Sequence, residues 1–269
     1  MRKLFSIMFF LFVLTGVAVA DEFTIIDGVS DAGRYAEALE LIMNKFDQSS
    51  PAAAILWRIG REHFNVAESL PKREAIAKLD QGIAFIDRYI NSATGTPRDR
   101  ATLIYWRTVL FSQRSKLIGI FESLGGVPQI FENCLRAVAL DPTFGDPYYL
   151  MAVVDNAIPA IVGDAAKRGE NSKHRMGVNF IKAIERDPQN MFYLVDGAYG
   201  FFNRNWNIDT KNRNNETVGF SDGTPANLDD RAFARTLANR AIAVYNGLQT
   251  PTVKQTRLYN LARELLTKL

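Results

Sequence analysis

The chain of 269 residues has one cysteine, Cys134, and two histidines, His63 and His174. A single thiol makes no internal disulfide, so the fold must rest on its apolar core. Cys134 falls on an apolar position of a predicted helix, which reads as a buried, inert thiol and argues against Cys–His catalysis. Each histidine lies among charged helical residues, with no Cys or second His at metal-ligand spacing. No metal site and no cofactor are expected. The sequence also lacks a Gly-x-Ser-x-Gly nucleophile turn, a Gly-x-x-x-x-Gly-Lys phosphate loop and a Gly-x-Gly-x-x-Gly dinucleotide loop. No residue is nominated as catalytic, and no enzymatic activity is expected.

An excess of one charge is missing as well. There are 32 Lys and Arg against 29 Asp and Glu, a net charge of +3, and Arg2 and Lys3 supply two of those cations. Phosphate backbones demand clustered cations, so nucleic acid is not an expected partner. Beyond the N-terminal segment no run is long and apolar enough to span a bilayer. Alternating strand patterns are absent apart from the short stretch Phe23 to Ile26.

What is present starts at the N-terminus. Arg2-Lys3 precede an apolar run from Leu4 to Val13, and Ala18-Val19-Ala20 puts small residues at the cleavage-critical positions. This predicts a secretory signal peptide over residues 1–20, cleaved after Ala20. Asp21 stands where a lipoprotein would need its acylated cysteine. The expected location is periplasmic or secreted, with the membrane met only through the signal peptide.

Residues 21–269 read as a single all-α domain of antiparallel helix pairs, about 8–10 helices in all. The first runs from about Asp31 to Phe46, with Ser30 or Asp31 as cap. Pro51 opens the second, and Pro71 to Ile90 forms the third. Pro97 opens a long helix that Gly125-Gly126 ends, and Pro128 starts another that stops before Asp141-Pro142. Pro147 starts the next helix, a further one stops before Asp187-Pro188, and another runs from Met191 to about Asn203. Residues 204–227, rich in Asn, Asp, Gly and Thr, read as a long exposed loop. C-terminal helices fill 228–269, one capped by Asp229 or Asp230 and stopped by Gly247, the last opened by Pro251. Asp155 is the one carboxylate inside an apolar helix face, and it reads as an acid that is either exposed or paired with a neighbouring arginine, ahead of a functional acid.

Two second-helix ends repeat: Ala137-Val-Ala-Leu-Asp-Pro142 and Ala183-Ile-Glu-Arg-Asp-Pro188, with Phe180 three residues before Ala183. After Pro142 come Tyr148, Met151 and Ala152; after Pro188 come Leu194, Gly197, Ala198 and Phe201. Gly33-Arg-Tyr-Ala-Glu-Ala-Leu39 fits another second helix, and Leu56, Ile59 and Gly60 a following first helix. Over residues 31–203 the chain therefore resembles the tetratricopeptide-repeat family, an α–α superhelix in which stacked pairs bury what one pair cannot. Asp155 departs from the pattern by replacing a tyrosine, and the spacing from Pro142 to Pro188 exceeds one repeat, so the array is expected to be irregular. The resemblance puts Tyr149, Val153 and Asn156 of one first helix, and Phe192, Tyr199 and Asn203 of the next, on the concave face, which either binds a partner or is covered by the long loop or the C-terminal helices.

A narrower likeness lies in Ile158-Pro-Ala-Ile-Val-Gly-Asp164 and Asn179-Phe-Ile-Lys-Ala-Ile-Glu-Arg-Asp-Pro188. These stretches look like the T component associated with TRAP-type transporters, a family of exported helical-repeat proteins that work beside substrate-binding proteins. The expected function is an exported scaffold mediating protein–protein interaction, accessory to such a small-molecule uptake system. The alternative is a periplasmic carrier of a small apolar or organic-acid ligand. The expected partners are another exported protein, a substrate-binding protein in particular, or a second copy of the chain.

Overall fold

A computed structural model describes residues 23–157, 171–214 and 228–269. The expected signal peptide, the stretch Ile158 to Asp164 and residues 215–227 of the expected loop lie outside the described residues. The described chain forms α1 (residues 23–31), α2 (Tyr35–Met43), α3 (Ala53–Ala67), α4 (Lys72–Tyr89), α5 (Pro97–Ile118) and α6 (Ile120–Leu140). There follow α7 (Asp146–Ala157), α8 (Ser172–Arg186), α9 (Met191–Arg204), α10 (Ile208–Arg213), α11 (Asp230–Asn246) and α12 (Val253–Lys268). Among the described residues twelve helices stand where about 8–10 were expected for the whole domain, in antiparallel adjacent pairs, and they form no sheet. A single bridge, Ala52 to Thr94, is the one strand-like contact among them.

Local chemistry explains most boundaries. Thr96 and Asp99 form a reciprocal capping box at the start of α5, with Thr96 Oγ1 accepting from the Asp99 N–H at 3.1 Å. Thr252 and Gln255 do the same for α12, while Asn171, Asn190 and Asp229 cap α8, α9 and α11 with their side chains. Pro142 and Pro188 each lie two residues past a helix end. The residue before a proline is driven out of the helical region, and Asp141 (φ −144°, ψ 97°) and Asp187 (φ −142°, ψ 87°) both leave it. Their carboxylates then accept the backbone N–H two residues on, from Thr143 at 2.9 Å and from Gln189 at 3.3 Å.

Three boundaries differ from the sequence expectation. Phe23 to Ile26 is helical, within α1, and Ser30 does not cap α2: its hydroxyl donates to the buried carboxylate of Glu62 at 3.0 Å. The long helix breaks at Gly119 and not at Gly125-Gly126, because Gly119 takes φ 151°, ψ 171°, a conformation only glycine holds without strain. Gly125, Gly126 and the exposed Pro128 all lie inside α6. Gly126 serves close packing instead, since a Cβ there would sit 2.9 Å from the Phe111 ring of α5. Finally, the expected exposed loop after residue 204 begins with α10 and with two buried cations, Arg204 and Lys211. Asp230 gathers both: it accepts from Arg204 Nε at 2.7 Å and Nη2 at 2.8 Å, and lies 3.3 Å from Lys211 Nζ. A buried carboxylate with this many donors is stable where an unpaired one is not.

Packing follows the chain order. Each second helix (α4, α6, α8, α11) packs on the first helix of its own pair (α3, α5, α7, α9) and on the next first helix along (α5, α7, α9, α12). First helices also touch one another in succession: α3 with α5, α5 with α7, α7 with α9, and α9 with α12. The described core is accordingly four apolar clusters in a row, centred on Ile42 and Ile59, on Leu56, Leu79 and Leu110, on Phe131 and Cys134, and on Phe180, Leu194 and Leu237. Each cluster joins neighbouring helix pairs, as stacking requires. Cys134 is fully buried, in line with the sequence reading.

Candidate functional site

The six residues expected on the concave face stand on α7 and α9, two first helices that touch. Tyr149, Val153 and Asn156 follow the four-then-three spacing of one helical face, and so do Phe192, Tyr199 and Asn203, with Asp196 falling between the first two. Asn156 and Asn203 are exposed, Phe192 is 38 % exposed, and Val153 is half-buried against the C-terminal cluster. The two tyrosines are engaged within the chain. The Tyr149 hydroxyl donates to Asp196 Oδ2 at 2.6 Å, and its ring lies 5.2 Å from that of Tyr193 and 6.4 Å from that of Phe180. The Tyr199 hydroxyl donates to the carbonyl of Leu261 on α12 at 3.2 Å.

Beside Tyr149 lies a second acid–phenol pair, in which the Tyr193 hydroxyl of α9 donates to Asp146, the first residue of α7. Burial pushes the Asp146 carboxyl up to about 6, against the pull of the Tyr193 hydroxyl and the positive charge of Arg98. Burial also raises Asp196, opposed by the Tyr149 hydroxyl and by the charges of Arg257 and Lys116. The phenols of Tyr149 and Tyr193 are pushed up in turn, first by burial and then by the carboxylates beside them. At neutral pH both phenols therefore keep their protons and act as donors. These pairs lock α7 to α9; neither offers an unoccupied nucleophile. Asp146 and Asp196 were not singled out from sequence. Asp196 carried a signal, a carboxylate at i+4 from Phe192 on the projected face, whereas Asp146 reads there as an ordinary first-turn acid.

The C-terminal helix lies across this face. At its start, Lys254 Nζ is 2.6 Å from Asn65 Oδ1 of α3 and 3.5 Å from Glu68, and sits over the rings of Tyr35 and Phe64. Seven residues later Leu261 meets Tyr199 of α9. Seven helical residues advance about 10 Å. Packed helices are spaced roughly 8–10 Å apart, so a straight row from α3 through α5 and α7 to α9 would separate its ends by about 27 Å. One short stretch of α12 touches both ends only because the row curls around it. Asn156 of α7 and Phe192 and Asn203 of α9 remain exposed.

Other candidates resolve into packing. Asp155 is buried and makes two bonds to Arg175, at 2.8 Å and 3.2 Å, so of the two structural readings it takes the paired one and not the exposed one. His63 is buried with Nδ1 3.1 Å from the Lys78 carbonyl. Burial, and then the Lys78 charge, lower its imidazole to about 4, so it is neutral and donates through Nδ1. Among the described residues no group of three or more His, Cys, Asp or Glu is placed to hold a metal ion, and no helix is long and apolar enough to cross a membrane. Compared with known proteins, the chain matches no family model and no curated protein.

Proposed function

We propose that the protein is an exported helical-repeat scaffold of the tetratricopeptide type, which grips another exported protein on the inner surface of its curled first helices. One observation carries this reading: first helices touch first helices in unbroken order, and the row curls until α12 touches both α3 and α9. Such a row offers one continuous inner surface on which several helices can hold a single partner. Phe192, Asn156 and Asn203 are exposed on the first helices α7 and α9, and exposed aromatic and amide groups make good binding anchors. The likeness of Asn179 to Pro188 to the T component supports a substrate-binding protein of an uptake system as the partner class.

The test is affinity capture of the exported protein from its native compartment, identification of the retained protein, and measurement of its affinity for purified variants. Phe192→Ala combined with Asn156→Ala should weaken binding by roughly thirtyfold or more, equivalent to about 2 kcal/mol. Both side chains reach solvent, so thermal melting should hardly move. Capture of no exported protein, or full affinity in the double variant, overturns the reading.

A further inference from the structure

A cleft of about 280 Å³ is bounded by α4, α5 and α6. Its apolar floor is small, the half-buried Ile90 and Ile104 beside the buried Leu103, and the rest of the lining is polar: the amides Asn91, Gln129 and Asn133, the cations Arg100, Arg107 and Arg136, and the acid Asp87. The volume is near the lower end for small-ligand sites, roughly 300 Å³ and upward, which excludes a large ligand.

The charge is uneven along the cleft. Arg107 is committed to Asp87 through two bonds, at 2.9 Å and 3.0 Å, and its remaining nitrogen Nη1 is enclosed. That end is neutral. Arg100 and Arg136 are exposed and make no ion pair with a carboxylate among the described residues; Arg136 reaches only the Asn133 amide oxygen, at 3.5 Å. Both fall at the other end. Arg100 lies two turns before Arg107 on α5, about 10 Å away. The antiparallel α5 and α6 join at Gly119, which sets Arg136 level with Arg100 and Gln129 level with Arg107. Two exposed guanidinium groups from different helices, with no carboxylate partner among the described residues, thus stand at one end of the cleft.

We propose that this cleft binds a small monocarboxylate, with the carboxylate held by Arg100 and Arg136 and a short hydrocarbon body lying over Ile104 and Ile90. Guanidinium groups present paired N–H donors that match a carboxylate in both charge and geometry. A bare inorganic anion would leave the apolar floor wet; a neutral hydrocarbon would give the two cations no counter-charge. Only a molecule with both parts uses both ends. The site lies between α5 and the second helices α4 and α6, away from α7, α9 and α12, and does not depend on the scaffold reading.

The experiment is ligand-observed NMR titration of the full exported chain with three probes: sodium hexanoate, hexan-1-ol and inorganic phosphate. Hexanoate should bind saturably in the millimolar range, with hexanol and phosphate each at least tenfold weaker. Arg100→Gln and Arg136→Gln should each weaken hexanoate about tenfold, the worth of one charge-assisted contact, and leave hexanol unchanged. Because both arginines are exposed, circular dichroism and melting of the variants should match the parent. Absence of saturable hexanoate binding overturns the proposal, as does hexanoate affinity unchanged in the double variant. Phosphate binding as tight as hexanoate overturns the role of the apolar floor and with it the assignment to a monocarboxylate.

Discussion

Replacing Asp146 by asparagine should stabilise the protein at neutral pH. Asp146 begins α7 with its carboxyl buried under the Tyr193 hydroxyl, and burial lifts that carboxyl from the usual 3.8 to about 6. A folded-state value above the unfolded one means that the folded chain holds this proton more tightly. The stabilising contribution is complete below about pH 4, shrinks as the pH rises, and is gone above about pH 6. The lift is worth ~3 kcal/mol at 1.36 kcal/mol per pH unit, so that much is lost across the interval. Asparagine carries no charge at any pH and its carbonyl still accepts from Tyr193. Losing the favourable effect of a carboxylate on the first turn of α7 should return about 0.3–1 kcal/mol. The net expectation is a variant about 2 kcal/mol more stable than the parent above pH 6.5, with the difference vanishing or reversing near pH 4. Urea unfolding of both proteins at half-unit steps from pH 4 to 7.5 reads this directly, since every other carboxylate is common to the two. A difference that stays flat with pH, or a parent more stable at pH 7, refutes the argument that desolvation dominates at Asp146.

Two further substitutions probe the polar contacts between helices. Tyr149→Phe keeps the ring packing on Tyr193 but removes the donor to Asp196, so it should cost about 1–3 kcal/mol in urea unfolding at pH 7. Unchanged stability with lost partner capture would instead make Tyr149 a binding group. Asp230→Asn breaks the buried cluster with Arg204 and Lys211 and should cost about 3–5 kcal/mol; a loss under 1 kcal/mol would show the cluster to be hydrated and loosely held.

Local signals made much of the fold legible. The Asp-Pro stops at 142 and 188 were readable because two local rules, the pre-proline restriction and the Asp side-chain turn, act at the same residue. The cap at Asp229 is equally local. Pro128 misled because a proline tolerated on the exposed side of a helix looks, in sequence, like one that starts it. Gly119 carries no sign that it, and not the pair seven residues on, takes the forbidden backbone angles. The site was less legible still. The partners of Tyr149 and Tyr193 lie 47 residues away, and that of Arg204 lies 26 away. Sequence periodicity assigns a face to each helix but does not report which polar group the neighbouring helix sets opposite it. For the same reason nothing in the sequence sets the arginines of α5 and α6 apart from other helical cations.

The contact between Lys254 and Asn65, 189 residues apart, bears on how the chain folds. An open array of repeats behaves as a one-dimensional chain: its terminal units fray first, and folding can start anywhere and spread. Here one end of the row is clasped by the other, so loosening α3 also exposes the start of α12, and loosening α12 uncovers both α3 and α9. Unfolding should then be a single cooperative step, with hydrogen exchange in α3 and α12 collapsing together. Closure of so long a loop is slow, so the last event in folding should be the docking of α12, after every helix pair has formed.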